Sequence, residues 1–189
     1  MMKHIIFVIF SAFSLLVNAT EIPTSCVSAL RRALSSSAEW TMKRQLADSK
    51  RVFVTTGVVD CIVGDRIDWK VLYPFSSSVS MTTNAMVFVD EDGERIKPLE
   101  KLPYYNEIRL RTDSFAKGDI KAFDGLFDVE VNSHSNGEWR LTFTPENRAM
   151  RRLFTSAILS GKEELTSVLL KSEDGGFSEI RFKEIKRAR

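Results

Sequence analysis

Apolar and polar residues alternate with a period of two along most of the chain after residue 38. The run Ile67-Asp68-Trp69-Lys70-Val71 is typical of a strand with one buried face. Residues 51–63 are rich in Val and Thr, which favours a long strand. Further strands are predicted over residues 78–83, 85–91, 127–133, 138–145, 154–160, 164–171 and 177–185. With short turns between them, the pattern predicts a meander of about 10–11 antiparallel strands.

Helical spacing interrupts this pattern at three places. Thr24 is a candidate N-cap for a helix over residues 25–36, and a short helix is predicted over residues 146–153. Residues 99–125 have weak periodicity and are predicted to hold a helical insertion. A sheet this wide twists and curls. The predicted fold is mainly β with α: a strongly curved antiparallel sheet forming an unclosed half β-barrel, covered by the N-terminal helix and the middle insertion.

Residues 1–19 have the features of a cleavable secretory signal peptide. Lys3 gives a basic start, residues 5–17 form an apolar run, and Val17-Asn18-Ala19 places small residues where a signal peptidase reads them. An uncleaved membrane anchor is the alternative, but the run is short against the roughly 20 residues that span a bilayer. The sequence therefore predicts cleavage after Ala19 and a single exported domain over residues 20–189, in the periplasm.

Composition and motifs argue against several function classes. The formal net charge of +2 creates no field that draws the domain to nucleic acid. His134, in a predicted turn, is the one histidine after the signal peptide, and a turn histidine is most often solvated. No G-x-S-x-G elbow or phosphate-binding glycine loop is present. We therefore expect no enzyme activity, no catalytic residue, no metal and no cofactor.

Large side chains recur on one face of several predicted strands. A face of this kind must pack against something, and either a solid core or a ligand cavity satisfies it. Composition alone favours the solid core, whereas adaptable methionines suit a pocket for varied acyl chains. The candidate acyl-binding residues are Trp40, Met42, Trp69, Val71, Tyr73, Met81, Met86, Phe88, Trp139, Leu141 and Phe143.

The chain contains two cysteines, Cys26 and Cys61. Their spacing fits no zinc pattern. Because export leads to an oxidising compartment, a disulfide between them is expected in preference to two buried free thiols.

Two stretches carry a family resemblance. In residues 64–75, GDRIDWKVLYPF, a strand bearing an aromatic residue runs into Pro74. In residues 137–182, a W-x-L-x-F-T-P strand leads to a short helix and then to three strands, the last of which contains S-x-I-x-F. In order and spacing, the chain resembles the LolA-like family of periplasmic carriers of outer-membrane lipoproteins over nearly its whole length.

The resemblance implies a cavity for acyl chains and a shuttle function. The expected partners are an acylated lipoprotein or lipid cargo, an inner-membrane exporter of ABC or other type, and an outer-membrane acceptor, with no nucleic acid and a monomeric state. Two alternatives stay open: a dedicated lipid chaperone for a specialised exporter or acyl-synthesis system, and a lipoprotein-binding sensor.

The sequence departs from the family at one position. Carriers of this family place an Arg, usually before Pro, six residues ahead of the strand aromatic, where it latches a lid. Counting back from Trp69 gives Val63 followed by Gly64, and the nearest arginine is Arg66. An Arg-latched lid is therefore in doubt for this chain.

Overall fold

The computed structural model describes residues 23–62, 65–98, 125–146, 148–152 and 154–187, together with residues 101, 111 and 114. The predicted signal peptide, its cleavage site, Val63 and Gly64, and nearly all of the predicted middle insertion lie outside the described residues.

Eleven strands and two helices are described with their bounds, and the described residues 111 and 114 are helical as well. The helices are α1 (Thr24–Ala33) and α2 (Arg148–Arg151). The strands are β1 (Ser36–Gln45), β2 (Val52–Ile62), β3 (Arg66–Tyr73), β4 (Ser77–Met81), β5 (Ala85–Asp90), β6 (Gly93–Pro98), β7 (Phe127–Ser133), β8 (Trp139–Pro145), β9 (Ser156–Gly161), β10 (Leu165–Lys171) and β11 (Phe177–Arg187).

All eleven strands belong to one antiparallel sheet in the order β6-β5-β4-β3-β2-β1-β11-β10-β9-β8-β7. β1 pairs with β2 on one side and with β11 on the other, so the last strand of the chain closes onto the first. β6 and β7 are the two ends of this order, and the sheet is not closed into a barrel. The predicted class, a mainly β, unclosed half-barrel with helix, is confirmed.

One face of the sheet, here called the inner face, is buried because apolar residues occupy alternate positions in register across neighbouring strands. A single row of paired residues shows this alignment: Met42, Ile180, Val168, Leu159 and Leu141 lie side by side on β1, β11, β10, β9 and β8. Each is 5% exposed or less. A slip of one residue in any strand would move its apolar set to the outer face.

Helix α1 covers part of the inner face through an apolar stripe that includes Cys26 and Leu30, and it contacts β1 and β10. It begins at Thr24 and follows Pro23, so Thr24 is not the N-cap that the sequence predicts. It also ends three residues before the predicted boundary, because Ser36 already pairs with Arg187 of β11. Pairing in the sheet therefore decides where the helix stops.

Candidate apolar binding face

Ten of the eleven predicted acyl-binding residues lie buried on the inner face. Each of these ten side chains is 6% exposed or less: Trp40, Met42, Trp69, Val71, Met81, Met86, Phe88, Trp139, Leu141 and Phe143. The strand register brings them together on one side of the sheet, as alternation along each strand requires. Their role in binding stays a prediction.

Tyr73 does not join this set, because its side chain is 60% exposed. The pairing of β2 with β3 is irregular here: Gly57 lies opposite Val71, but Thr56 lies opposite Tyr73. β3 therefore carries one extra residue, Leu72, as in a β-bulge, and the alternation shifts by one. The sequence pattern gave no sign of this insertion, and its assignment of Tyr73 to the cavity is wrong.

The inner face divides into two halves that meet at β1 and β11. In the β1–β6 half, the rings of Trp40 and Trp69 stack with centroids 4.6 Å apart and planes 25° apart. Beyond this pair, Met81, Met86 and Phe88 continue the apolar surface on β4 and β5. Two large rings and flexible methionines give this half an adaptable apolar wall.

The β7–β11 half contains a tighter aromatic cluster. Phe127 packs edge-on against Phe143 with ring centroids 6.5 Å apart, and it stacks on Phe154 at 6.0 Å. All three rings are 1% exposed or less. Phe154 follows α2, so the chain between β8 and β9 itself fills this half.

Each half also has a tryptophan lying over a strand glycine. Trp40 lies opposite Gly57, and Trp139 lies opposite Gly161. A Cβ added to Gly57 would lie 2.6 Å from Cζ2 of Trp40, and one added to Gly161 would lie 2.5 Å from Cζ2 of Trp139. Both are closer than real contacts allow, so these glycines supply space for an indole rather than conformational freedom. A strand-interior glycine marks close approach, a signal that the sequence analysis did not use.

The two indoles differ in hydrogen bonding. Trp139 donates its Nε1–H to the carbonyl oxygen of Lys162 at 2.7 Å, whereas Nε1 of Trp40 is buried without a partner. Among the described residues, one other buried side-chain nitrogen has no partner, Nε of Arg95 on β6. Both unsatisfied donors therefore belong to the β1–β6 half, and such groups are costly unless something accepts from them.

Two cations end the inner face at strand β6. Arg95 lies opposite Phe88 and Lys97 lies opposite Met86, so both share the apolar face of β5. The terminal nitrogens of Arg95 contact the carboxylates of Asp90 and Asp92, and Nζ of Lys97 lies 5.9 Å from the centre of the Phe88 ring. Sequence reasoning missed both residues, although continuing the alternation through the turn after Asp90 would have placed them opposite Phe88 and Met86.

The predicted disulfide is not formed, because Cys26 and Cys61 are both free and buried. Each thiol is 2% exposed or less within the apolar core, where a free cysteine packs as a small hydrophobic side chain. Burial raises the pKa of the Cys26 thiol to about 12. For Cys61, burial and the nearby carboxylates of Asp60 and Asp68 together raise the pKa to about 12.

Other candidate chemistry lies away from the inner face. His134 is exposed in the turn before β8, where its backbone N–H donates to the carbonyl of Glu138. Arg66, the arginine nearest to the family latch position, pairs with Asp68 at 3.1 Å and is half exposed. In the described part of the chain, no group of three or more His, Cys, Asp or Glu residues is placed to hold a metal ion. Nor does that part contain a helix long and apolar enough to cross a membrane.

Two surface hollows are lined by described residues alone. One, of about 170 Å³, lies near His134, Arg140 and Lys162, and the other, of about 480 Å³, lies near Leu169 and Phe177. Both are lined by residues of the β7–β11 half and its turns. Neither is lined by a residue of the β1–β6 half.

No protein-family model and no curated protein matches the sequence. Solved structures with a similar fold include a LolA superfamily protein from Nitrosomonas europaea, which is 11% identical with a TM-score of 0.47; the alignment covers 89% of this chain and 95% of that chain. A putative outer-membrane lipoprotein-sorting protein domain from Vibrio parahaemolyticus is 9% identical with a TM-score of 0.41, over 86% of this chain and 91% of that chain. The Nitrosomonas europaea protein belongs to the superfamily that the sequence resembles.

The Pseudomonas aeruginosa MucA/MucB complex is similar as well, at 13% identity and a TM-score of 0.47, with 87% of this chain and 56% of that chain covered. The chain thus spans about half the length of that protein. Because all three TM-scores lie below 0.5, these likenesses carry no argument about function.

Proposed function

We propose that this protein is a periplasmic carrier that binds the acyl chains of a lipoprotein or a related lipid on the inner face of its β1–β6 half. It takes the cargo from an inner-membrane exporter, of ABC or another type, and passes it towards an acceptor at the outer membrane. It works as a monomer, is exported by the signal peptide in residues 1–19, and needs no catalytic residue.

The observation that carries this proposal is that an apolar surface contains buried hydrogen-bond donors without acceptors. Trp40 and Arg95 each hold a buried nitrogen without an acceptor, at opposite sides of the surface formed by Trp69, Met86 and Phe88. An acylated ligand offers a carbonyl oxygen to accept from these donors and a hydrocarbon chain that matches the apolar side chains between them. Sequestration is also what such a cargo requires, since each CH₂ exposed to water costs about 0.8 kcal/mol.

The first experiment asks whether cargo binds. Native mass spectrometry of protein purified from the periplasm should show a lipid or acylated peptide that leaves on denaturation. The delipidated protein should then bind a fluorescent acylated peptide, and the peptide without its acyl chain should not bind. If the parent protein binds no acylated probe, the carrier function is wrong.

A second experiment places the ligand's carbonyl at Trp40. Trp40→Phe keeps a ring over Gly57 but removes the free donor, so the affinity for the acylated peptide should fall about threefold to tenfold, the value of one hydrogen bond. Its affinity for a hydrocarbon dye that has no carbonyl should change little. Trp139→Phe is the matched control, because the Trp139 donor is already bonded to Lys162, and it should leave both affinities unchanged. Equal effects of the two substitutions would contradict this placement.

A further inference from the structure

Six large apolar side chains are exposed together at one end of the sheet. Val52, Phe53 and Val54 at the start of β2 are 49%, 50% and 42% exposed, and Leu72, Tyr73 and Phe75 around the end of β3 are 60%, 60% and 70% exposed. We call this set the apolar tip. Exposed apolar residues are ordinary when scattered, but a contiguous group of this kind marks an interaction surface.

The strand register brings the six residues together. β2 and β3 are antiparallel, and their pairing at this end stops at Thr56 and Tyr73. Residues 52–54 therefore extend beyond β3 and pair on one side only, with residues 43–45 of β1. Phe75 follows directly in the connection to β4. At this end β2 extends beyond β3 but not beyond β1, whose Gln45 pairs with Val52, so the tip is a free edge of β2 with the end of β3 beside it.

This free edge of β2 is apolar on both faces of the sheet. Phe53 lies opposite Arg44, two residues beyond Met42 and on its face, so it belongs to the inner side, whereas Val52 and Val54 alternate to the outer side. A flat protein–protein contact would use one of these faces. A free edge that is apolar on both faces fits a medium that contacts both faces, which is the geometry of insertion into a membrane interface.

Basic side chains surround the base of the tip. Lys43 and Arg44 lie opposite Val54 and Phe53, and Lys50 and Arg51 immediately precede Val52. Against these four cations the β1–β2 turn carries one carboxylate, Asp48. Other carboxylates at this end of the sheet lie in the β5–β6 turn, at residues 90–94, in the β10–β11 turn, at residues 173–174, and on β11, where Glu179 lies opposite Lys43. The electrostatic attraction is therefore local and smaller than the apolar contribution.

We propose that the apolar tip inserts into the interfacial region of a membrane that contains anionic lipid, with the four basic residues at the headgroup level. This surface lies outside the buried acyl-binding wall, so the inference does not depend on the proposed carrier function. Docking at the membrane would bring this end of the sheet next to the lipid phase.

The test measures flotation with phosphatidylcholine vesicles that do or do not contain phosphatidylglycerol. The parent protein should float with both kinds of vesicle and more strongly with the anionic ones. A variant with Phe53→Ser, Leu72→Ser and Phe75→Ser should bind at least about tenfold more weakly to both. Lys50→Gln with Arg51→Gln should weaken binding about fivefold to tenfold on anionic vesicles only.

Ile96→Ser is the matched control, since Ile96 is also 60% exposed but lies on β6, and its binding should equal that of the parent. All variants share the same N-terminal residues, so any contribution from that segment cancels. Equal vesicle binding by the tip variant and the control would overturn the proposal. So would a parent that ignores vesicles and instead self-associates, or pairs with an apolar peptide, through the tip.

The same variants also separate this inference from the carrier function. The tip variant should retain the parent's affinity for the acylated peptide. A parent that floats with vesicles but binds no acylated peptide would refute the carrier function and leave membrane docking standing.

Discussion

The β1–β6 and β7–β11 halves of the sheet share one packing feature but differ in the hydrogen bonding of its indole N–H. Each places a tryptophan over a strand glycine, Trp40 over Gly57 and Trp139 over Gly161. In the β7–β11 half the indole N–H is bonded to Lys162, and three phenylalanines fill the remaining space. In the β1–β6 half the indole N–H has no acceptor.

This difference separates a packed core from a candidate wall for ligand. Both halves bury apolar side chains, so burial alone does not distinguish them. Hydrogen-bond donors without acceptors do distinguish the two halves, because protein interiors contain few such donors and each requires an explanation. We therefore propose acyl binding for the β1–β6 half and structural support for the β7–β11 half.

The largest effect is expected from truncating one phenylalanine in each half. Phe143→Ala removes a ring from the cluster with Phe127, and it should lower the free energy of unfolding by about 3–5 kcal/mol. Phe88→Ala should weaken binding of the acylated peptide, and under the proposed assignment of the two halves it should cost less stability than Phe143→Ala. Urea unfolding and probe binding on both variants measure the two quantities.

A costly Phe88→Ala that leaves binding unchanged would mean that the β1–β6 half is a solid core like the other. A Phe143→Ala protein that folds and binds the probe as tightly as the parent would support the assignment of the two halves.

The next effect concerns the two glycines, where the halves should behave alike. In Gly57→Ala the new Cβ would clash with the Lys70 carbonyl as well as with Trp40, and in Gly161→Ala it would clash with the Glu164 carbonyl as well as with Trp139. Backbone cannot move aside as a flexible side chain can, so each variant should lose about 1–3 kcal/mol in urea unfolding.

Thr56→Ala, beside Gly57 on β2, is the control and should cost less than about 1 kcal/mol. A Gly57→Ala protein as stable as the parent, together with a destabilised Gly161→Ala protein, would show that the β1–β6 half has room to adjust and would sharpen the contrast.

The smallest expected effect is a pH dependence of stability that comes from Cys26 and Cys61. It reports how well the packing excludes water from the two thiols. In the folded protein both thiols have a pKa raised to about 12, against 9.0 for an unperturbed thiol. Between these values the unfolded chain loses protons that the folded chain keeps. Stability is therefore fully present below pH 9 and falls as the pH rises towards 12, by about 1 kcal/mol per thiol at pH 10.

A Cys26→Ala, Cys61→Ala variant should lack this part of the alkaline loss in urea unfolding. At pH 8 the native thiols should resist labelling, and the unreduced, denatured protein should label at both positions. Titration of either native thiol near pH 9 would indicate that water enters its surroundings.

Much of the fold followed from the sequence because alternation in a strand is a local property. The boundaries of β7 agree with the predicted 127–133, and ten of the eleven predicted lining residues lie on the buried face, since burial repeats every second residue. Tyr73 was misassigned because one extra residue in β3 reverses the alternation, and only the pairing with β2 reveals it.

By itself, the sequence determined the strand content, the inward-facing residues and the absence of familiar catalytic motifs, because these depend on residue type and near-neighbour spacing. The tertiary structure decided which distant residues meet. It placed β11 beside β1, kept Cys26 and Cys61 as free thiols, left Nε1 of Trp40 without an acceptor, and gathered the apolar tip from two strands. These features depend on register between strands and on what covers each face, and neither is encoded in the pattern of a single strand.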